Sequence, residues 1–191
     1  MLDAEARQRQ ILAAALRTFG RYGFRRTSMA LLAEAADLSR PSLYQHFRGK
    51  EDVFRAVTAD LIDGMTEAAE RAARAEGPLE ERLFGVLSVK ACALGGTVDP
   101  PLRAEILRDA ERVAGDLLVS CHRRMLTTTS GLLRSASDEL RLIGEEFDAE
   151  EVAALLLAAV LGISQEPSDA EVMERRLRDL VRLTVRGLRA A

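Results

Sequence analysis

The strongest constraint on the fold is the pattern of helix breakers and caps in the first fifty residues. From Ala4 to about Arg21 the apolar residues Ile11, Leu12, Ala15, Leu16 and Phe19 recur on one face at helical spacing. Gly20 and Gly23 then end that helix. Thr27 or Ser28 can cap a second, short helix whose Met29, Leu32, Ala33 and Ala36 turn inward. Asp37-Leu38-Ser39 reads as a tight turn, because Asp tolerates the left-handed conformation better than most residues. Ser39 caps a third helix, and Pro41 falls in its first turn, where no intrahelical N–H bond is lost. Leu43 and Phe47 point back at the first two helices. Three helices with a tight turn between the second and third follow the helix-turn-helix plan.

In that plan the third helix enters the major groove of DNA by its N-terminus. Its side chains not claimed by the core are Arg40, Ser42, Gln45 and His46. Arginine can bond two acceptors on guanine and glutamine can pair with adenine. Charge points the same way. Residues 1–50 carry nine basic and four acidic side chains, whereas the remainder carries 18 basic and 26 acidic. A basic head on an acidic body implies a polyanionic partner for the head.

Beyond residue 50 the chain again reads as helical throughout, so the fold class is all-α. A long helix runs from Lys50 to about Ala75, and Gly77-Pro78 closes it. Leu79 to Leu94 forms another, ended by Gly95-Gly96. After Pro100-Pro101, Leu102 to Ala136 reads as a short helix followed by a long one. Asp148 caps a helix to Ile163, and Ser168 caps the last, to about Leu188. Val152 to Ile163 has no charged side chain on any face and must be covered on all sides. The economical cover for its second face is a partner subunit. With the following helix it makes a four-helix homodimer contact through Leu157, Leu161, Leu177, Leu180, Thr184 and Leu188.

Other classes find little support. The two cysteines, Cys92 and Cys121, are isolated, and the two histidines have no metal-ligand spacing. No phosphate loop or nucleophile motif occurs, so no metal, no cofactor and no enzymatic activity is expected. A purely helical interaction module would leave the basic head unexplained. The start of the chain lacks the apolar stretch of a signal peptide, and the longest uncharged run is too short for a bilayer. The expected location is the cytoplasm, on the nucleoid when DNA is bound.

The run from Ile11 to Phe54 resembles the DNA-binding domain of the TetR family of transcriptional repressors. The matching residues are the Ala-rich first helix ending in Phe19, Gly23-Phe24, Thr27-Ser28, Leu32-Ala33, Ala35-Ala36, Ser39, Leu43-Tyr44, His46-Phe47 and Lys50-Glu51. Asp37 departs from the family's usual Gly, and Pro41 replaces a small residue at the start of the third helix, so no operator sequence carries over. The resemblance implies two domains. Residues 1–50 would bind DNA, and residues 51–191 would bind an effector and dimerise, with a linking helix over about 50–75. It places Tyr44, His46 and Lys50 on phosphates, Thr27 and Ser28 near the backbone, and Arg40, Pro41, Ser42 and Gln45 towards bases. It implies a near-palindromic double-stranded operator, a homodimer, repression, and release by a small, mostly apolar effector. Candidate residues for that effector pocket are Leu87, Ala91, Leu118, Cys121, His122, Met125 and Phe147.

Overall fold

A computed structural model describes residues 2–92, 102–137, 140, 148–165 and 169–190. They form eight helices and, among the described residues, no strand. These are α1 (Leu2–Arg26), α2 (Met29–Ala35), α3 (Arg40–His46), α4 (Lys50–Arg74), α5 (Leu79–Cys92), α6 (Arg103–Ser135), α7 (Ala149–Gln165) and α8 (Ala170–Ala190). Packing divides them into two compact units. The first holds α1, α2, α3, α4 as far as Asp63 and α6 as far as Val119. The second holds the rest of α4 and α6 with α5, α7 and α8.

The first unit is built around the faces anticipated from periodicity. Ile11, Leu12, Ala15 and Phe19 of α1 pack with Leu32, Ala33, Leu43, Phe47, Val53, Phe54 and Val57. Ile106 and Ala110 of α6 join the same core, so the head is completed by residues far along the chain. Three rings tie the joints together. Phe19 stacks on Phe24 at 6.0 Å, and Phe54 meets both edge-on at 5.0 Å.

The joints follow local chemistry. Gly20 does not end α1; it lies buried within the helix. The break is at Gly23, with φ 75° and ψ 166°, a backbone region essentially confined to glycine. Ser28 Oγ accepts the Leu31 N–H at 3.2 Å and Ser39 Oγ accepts the Ser42 N–H at 3.2 Å, so both short helices are N-capped by serine. Asp37 has φ 56°. Leu38 N–H reaches the Ala33 carbonyl and Asp37 N–H the Glu34 carbonyl, the paired bonds of a Schellman cap with Asp in glycine's usual place.

The expected short and long helices between Leu102 and Ala136 are one helix, α6, interrupted at Ala114 (φ −138°, ψ 29°). In the second unit α5 packs against both α7 and α8, which also pack on each other. Its core includes Leu83, Val86, Leu87, Met125, Leu133, Leu157, Leu177 and Val185. The proposed Ser168 cap and the Gly95-Gly96 stop lie outside the described residues.

Gly23 should tolerate no side chain. A Cβ there would stand 3.2 Å from the Glu105 Oε1 atom. That carboxylate is flexible, so the backbone strain sets the cost. Gly23→Ala should lower unfolding stability by about 1–3 kcal/mol, read by urea denaturation.

Candidate nucleic-acid interface

α3 presents the surface a DNA reader needs. Leu43 is fully buried and Phe47 nearly so, which pins one side of the helix to the head. Arg40, Pro41, Tyr44, Gln45 and His46 are exposed on the rest of it, and Ser42 is half-buried. Tyr44 is 48% exposed, so its ring is a surface group. Ser28 is exposed at the start of α2. Arg40 and Gln45 thus stand on a helix whose orientation is fixed by core contacts and a serine cap.

Two residues taken for backbone contacts occupy other places. Thr27 is buried, and its hydroxyl donates to the Gly23 carbonyl at 2.7 Å. It satisfies the chain at the α1 break and offers no hydroxyl to a phosphate. Lys50 donates to the Phe24 carbonyl at 2.9 Å and the Arg25 carbonyl at 3.4 Å, with its ammonium 4.4 Å from the Phe24 ring centre. It is half-buried and serves the head's own backbone, so a phosphate would have to share it. Arg25 and Arg48, each two residues before one of these, are exposed and were not singled out from the sequence. The only signal for them was the bulk positive charge of the head.

Around this corner the first unit carries a band of ion pairs from α6. Glu105 pairs with Arg26 at 3.5 Å, and Arg112 with Glu51 at 3.0 Å. Arg55 donates to the Val113 carbonyl at 3.1 Å, next to the Ala114 interruption, and makes a two-pronged bond to the Asp116 carboxylate. Those hydrogen bonds hold the Asp116 carboxyl below its ordinary pKa and raise that of Arg55. Both groups lie in water, so the pair contributes little to stability.

The candidate dimer and pocket residues divide sharply. Leu157, Leu177 and Leu188 are buried inside the second unit and leave no surface for a partner. Leu161 is exposed, and Leu180 and Thr184 are half-buried. The exposed apolar face of α7 is Ala154, Leu155, Ala158, Leu161 and Gly162, and α8 adds Leu183. The sequence set missed Leu155 and Leu183, which are 69% and 72% exposed. The register of a helix that is apolar all round cannot be read from its own pattern.

Of the pocket candidates, Leu87, Ala91, Cys121 and Met125 are buried in the second unit. Burial pushes the Cys121 thiol above its usual pKa. His122 is exposed on α6 and lines no interior. Leu118 packs against the core of the first unit. Phe147 lies outside the described residues. On α5 the Ser88 hydroxyl is buried without a hydrogen-bond partner among the described residues. Among the described residues no cluster of His, Cys, Asp or Glu could hold a metal. No helix among them is long and apolar enough to cross a membrane.

Fold and surface together are those of a helix-turn-helix protein. Residues 11–57 match the model of the bacterial regulatory proteins, tetR family. The chain is 36% identical over 66 residues to an HTH-type transcriptional repressor of Mycobacterium tuberculosis, covering 35% of each protein. It is 30% identical over 88 residues to the regulator YhgD of Bacillus subtilis, covering 44% of this chain and 46% of that one. These alignments span less than half the length of those curated relatives. Over its whole length the chain superposes on GusR of Salmonella enterica with a TM-score of 0.73 and 26% identity, covering 97% and 96% of the two chains. It shares the fold of FadR from Bacillus subtilis, solved with stearoyl-CoA, at a TM-score of 0.66 and 18% identity over 95% and 97%. Residues 11–57 are thus similar to the DNA-binding segment of the bacterial tetR family, and the chain shares the fold of solved transcriptional regulators.

Since the folded Asp116 carboxyl titrates below its unfolded value, its contribution is present at neutral pH and is lost as the pH falls through the folded value. Urea unfolding at a series of acidic pH values should show a small acid-induced loss in the wild type. Asp116→Asn should remove that part of the loss.

Proposed function

We propose that the protein is a transcriptional repressor that binds a near-palindromic operator as a homodimer and is released by a small, mostly apolar effector. The observation that carries this reading is the free face of α3. Arg40 and Gln45 stand exposed on a helix whose other side is locked by Leu43 and Phe47. Arg40 pairs with guanine and Gln45 with adenine. Tyr44, His46, Ser28 and the exposed Arg48 lie towards phosphates, with Lys50 contributing as far as its carbonyl partners allow.

The homodimer reading rests on the apolar faces of α7 and α8. Leu155, Leu161 and Leu183 are large side chains more than half exposed, and Ala154, Ala158 and Gly162 between them are small enough for close helix approach. Covering such a patch is favourable by about 25 cal/mol per Å². A second copy placed by a two-fold axis covers it self-consistently and presents two heads to a symmetric operator. Effector release has two supports. Ser88 offers a buried polar atom without a hydrogen-bond partner among the described residues, the kind of group that fixes a ligand's orientation in an apolar site, and the related fold of FadR was solved with stearoyl-CoA. Repression is favoured by the Mycobacterium tuberculosis relative, itself a repressor. The proposed location is cytoplasmic, on the nucleoid when bound.

The test uses fluorescence anisotropy on promoter DNA flanking the gene. Arg40→Ala or Gln45→Ala should each weaken binding by about 1–3 kcal/mol and relax preference at one base position. Leu155→Arg should yield a monomer by sedimentation, with operator affinity sharply reduced. Unchanged affinity and base preference in both α3 variants would remove that helix from the readout.

A further inference from the structure

We propose that Arg112 of α6 is a charge mask for the DNA-facing start of α4, neutralising Glu51 so that the head can approach phosphates. This rests on the reading that the head binds DNA through α3 and the first turn of α4. Glu51 follows Lys50 directly, and its side chain is 67% exposed. A carboxylate in a first turn suits the helix itself, whose N-terminal end is positive. Beside a line of phosphates the same charge is repelled. In the structure it is not bare, because the Arg112 guanidinium lies 3.0 Å away.

Two features hold Arg112 in that place. Its guanidinium lies over the Phe24 ring, 5.2 Å from the centre. The same ring takes the Lys50 ammonium at 4.4 Å, so one aromatic fixes both cations. Arg112 also reaches Asp109 at 3.6 Å. Asp109 is buried, and its other oxygen has no hydrogen-bond partner among the described residues. A buried carboxylate with so little satisfaction keeps this cation close. Arg112 therefore stays at this corner even when Glu51 loses its charge.

The consequence is a route from α6 to DNA affinity that needs no movement of α3. Whatever draws this turn of α6 away from Glu51 converts a neutral pair into a bare carboxylate at the binding surface, and phosphate binding weakens.

A charge mask and an ordinary structural ion pair predict opposite signs. If the pair only braces the head, losing either partner harms the same contact, and both variants bind DNA more weakly. If Arg112 is a mask, the two partners pull in opposite directions. We would measure anisotropy of a fluorescein-labelled random-sequence duplex with full-length wild type, Arg112→Gln, Glu51→Gln and the double variant at low salt, with melting temperatures alongside. Arg112→Gln should bind roughly three- to tenfold more weakly and Glu51→Gln more tightly by a similar factor. The double variant should return to within about twofold of wild type, and all differences should shrink as salt rises. Arg112→Lys, which keeps the charge, should stay near wild type. Weaker binding by both single variants, or by neither, would overturn the mask. If Arg112→Gln does not fold, Glu51→Gln alone decides by its sign. A wild type that fails to bind the duplex at any salt would overturn the DNA reading itself.

Discussion

The head depends on the corner where α1 breaks at Gly23 and the Phe24 ring enters the core. A backbone at φ 75° turns the chain out of α1, and the ring then locks against Phe19 and Phe54. The broken helix leaves carbonyls without helical partners. Thr27 and Lys50 supply donors to them. In this way one strained residue sets the angle of α2, and through it α3, while engaging Lys50 with the head's own carbonyls. The exposed face of α3 is held in one orientation because everything behind it is fixed.

The same corner receives α6. Ile106 and Ala110 complete the head's core, and Glu105, Arg112 and Asp116 bind Arg26, Glu51 and Arg55 around it. Surface pairs of this kind contribute little to stability. Their joint effect is positional, since together they hold one stretch of α6 against the parts of α1 and α4 that frame the reading surface. Electrostatics at that surface then involves side chains sixty residues away in sequence as much as those on the head itself.

Much of this was legible from the sequence because it is local. Serine caps, the Asp37 turn and the spacing of Leu43 and Phe47 follow from chemistry within a few residues, and α2 and α3 formed where those signals placed them. The exposed positions of Arg40, Gln45 and Tyr44 followed once Leu43 was inward. What depended on distant partners was not legible. Thr27 looked like a cap or a phosphate contact, but its hydroxyl was needed by the Gly23 carbonyl. Lys50 looked free because its acceptors are twenty-five residues earlier. The rotation of α7 does not follow from an all-apolar pattern, which is why buried Leu157 and exposed Leu155 are indistinguishable in the sequence. The participation of α6 in the head had no sequence signal.

The central claim is that this head reads base sequence through α3. Selection of bound duplexes from a random pool by the full-length protein, followed by sequencing of the enriched DNA, tests it most directly. An inverted repeat should emerge, with half-sites centred roughly one helical turn or a multiple of about 10 bp apart. Its preferred positions should include a guanine and an adenine whose enrichment disappears with Arg40→Ala and Gln45→Ala respectively. Bound DNA that shows no sequence preference over the starting pool would contradict the account.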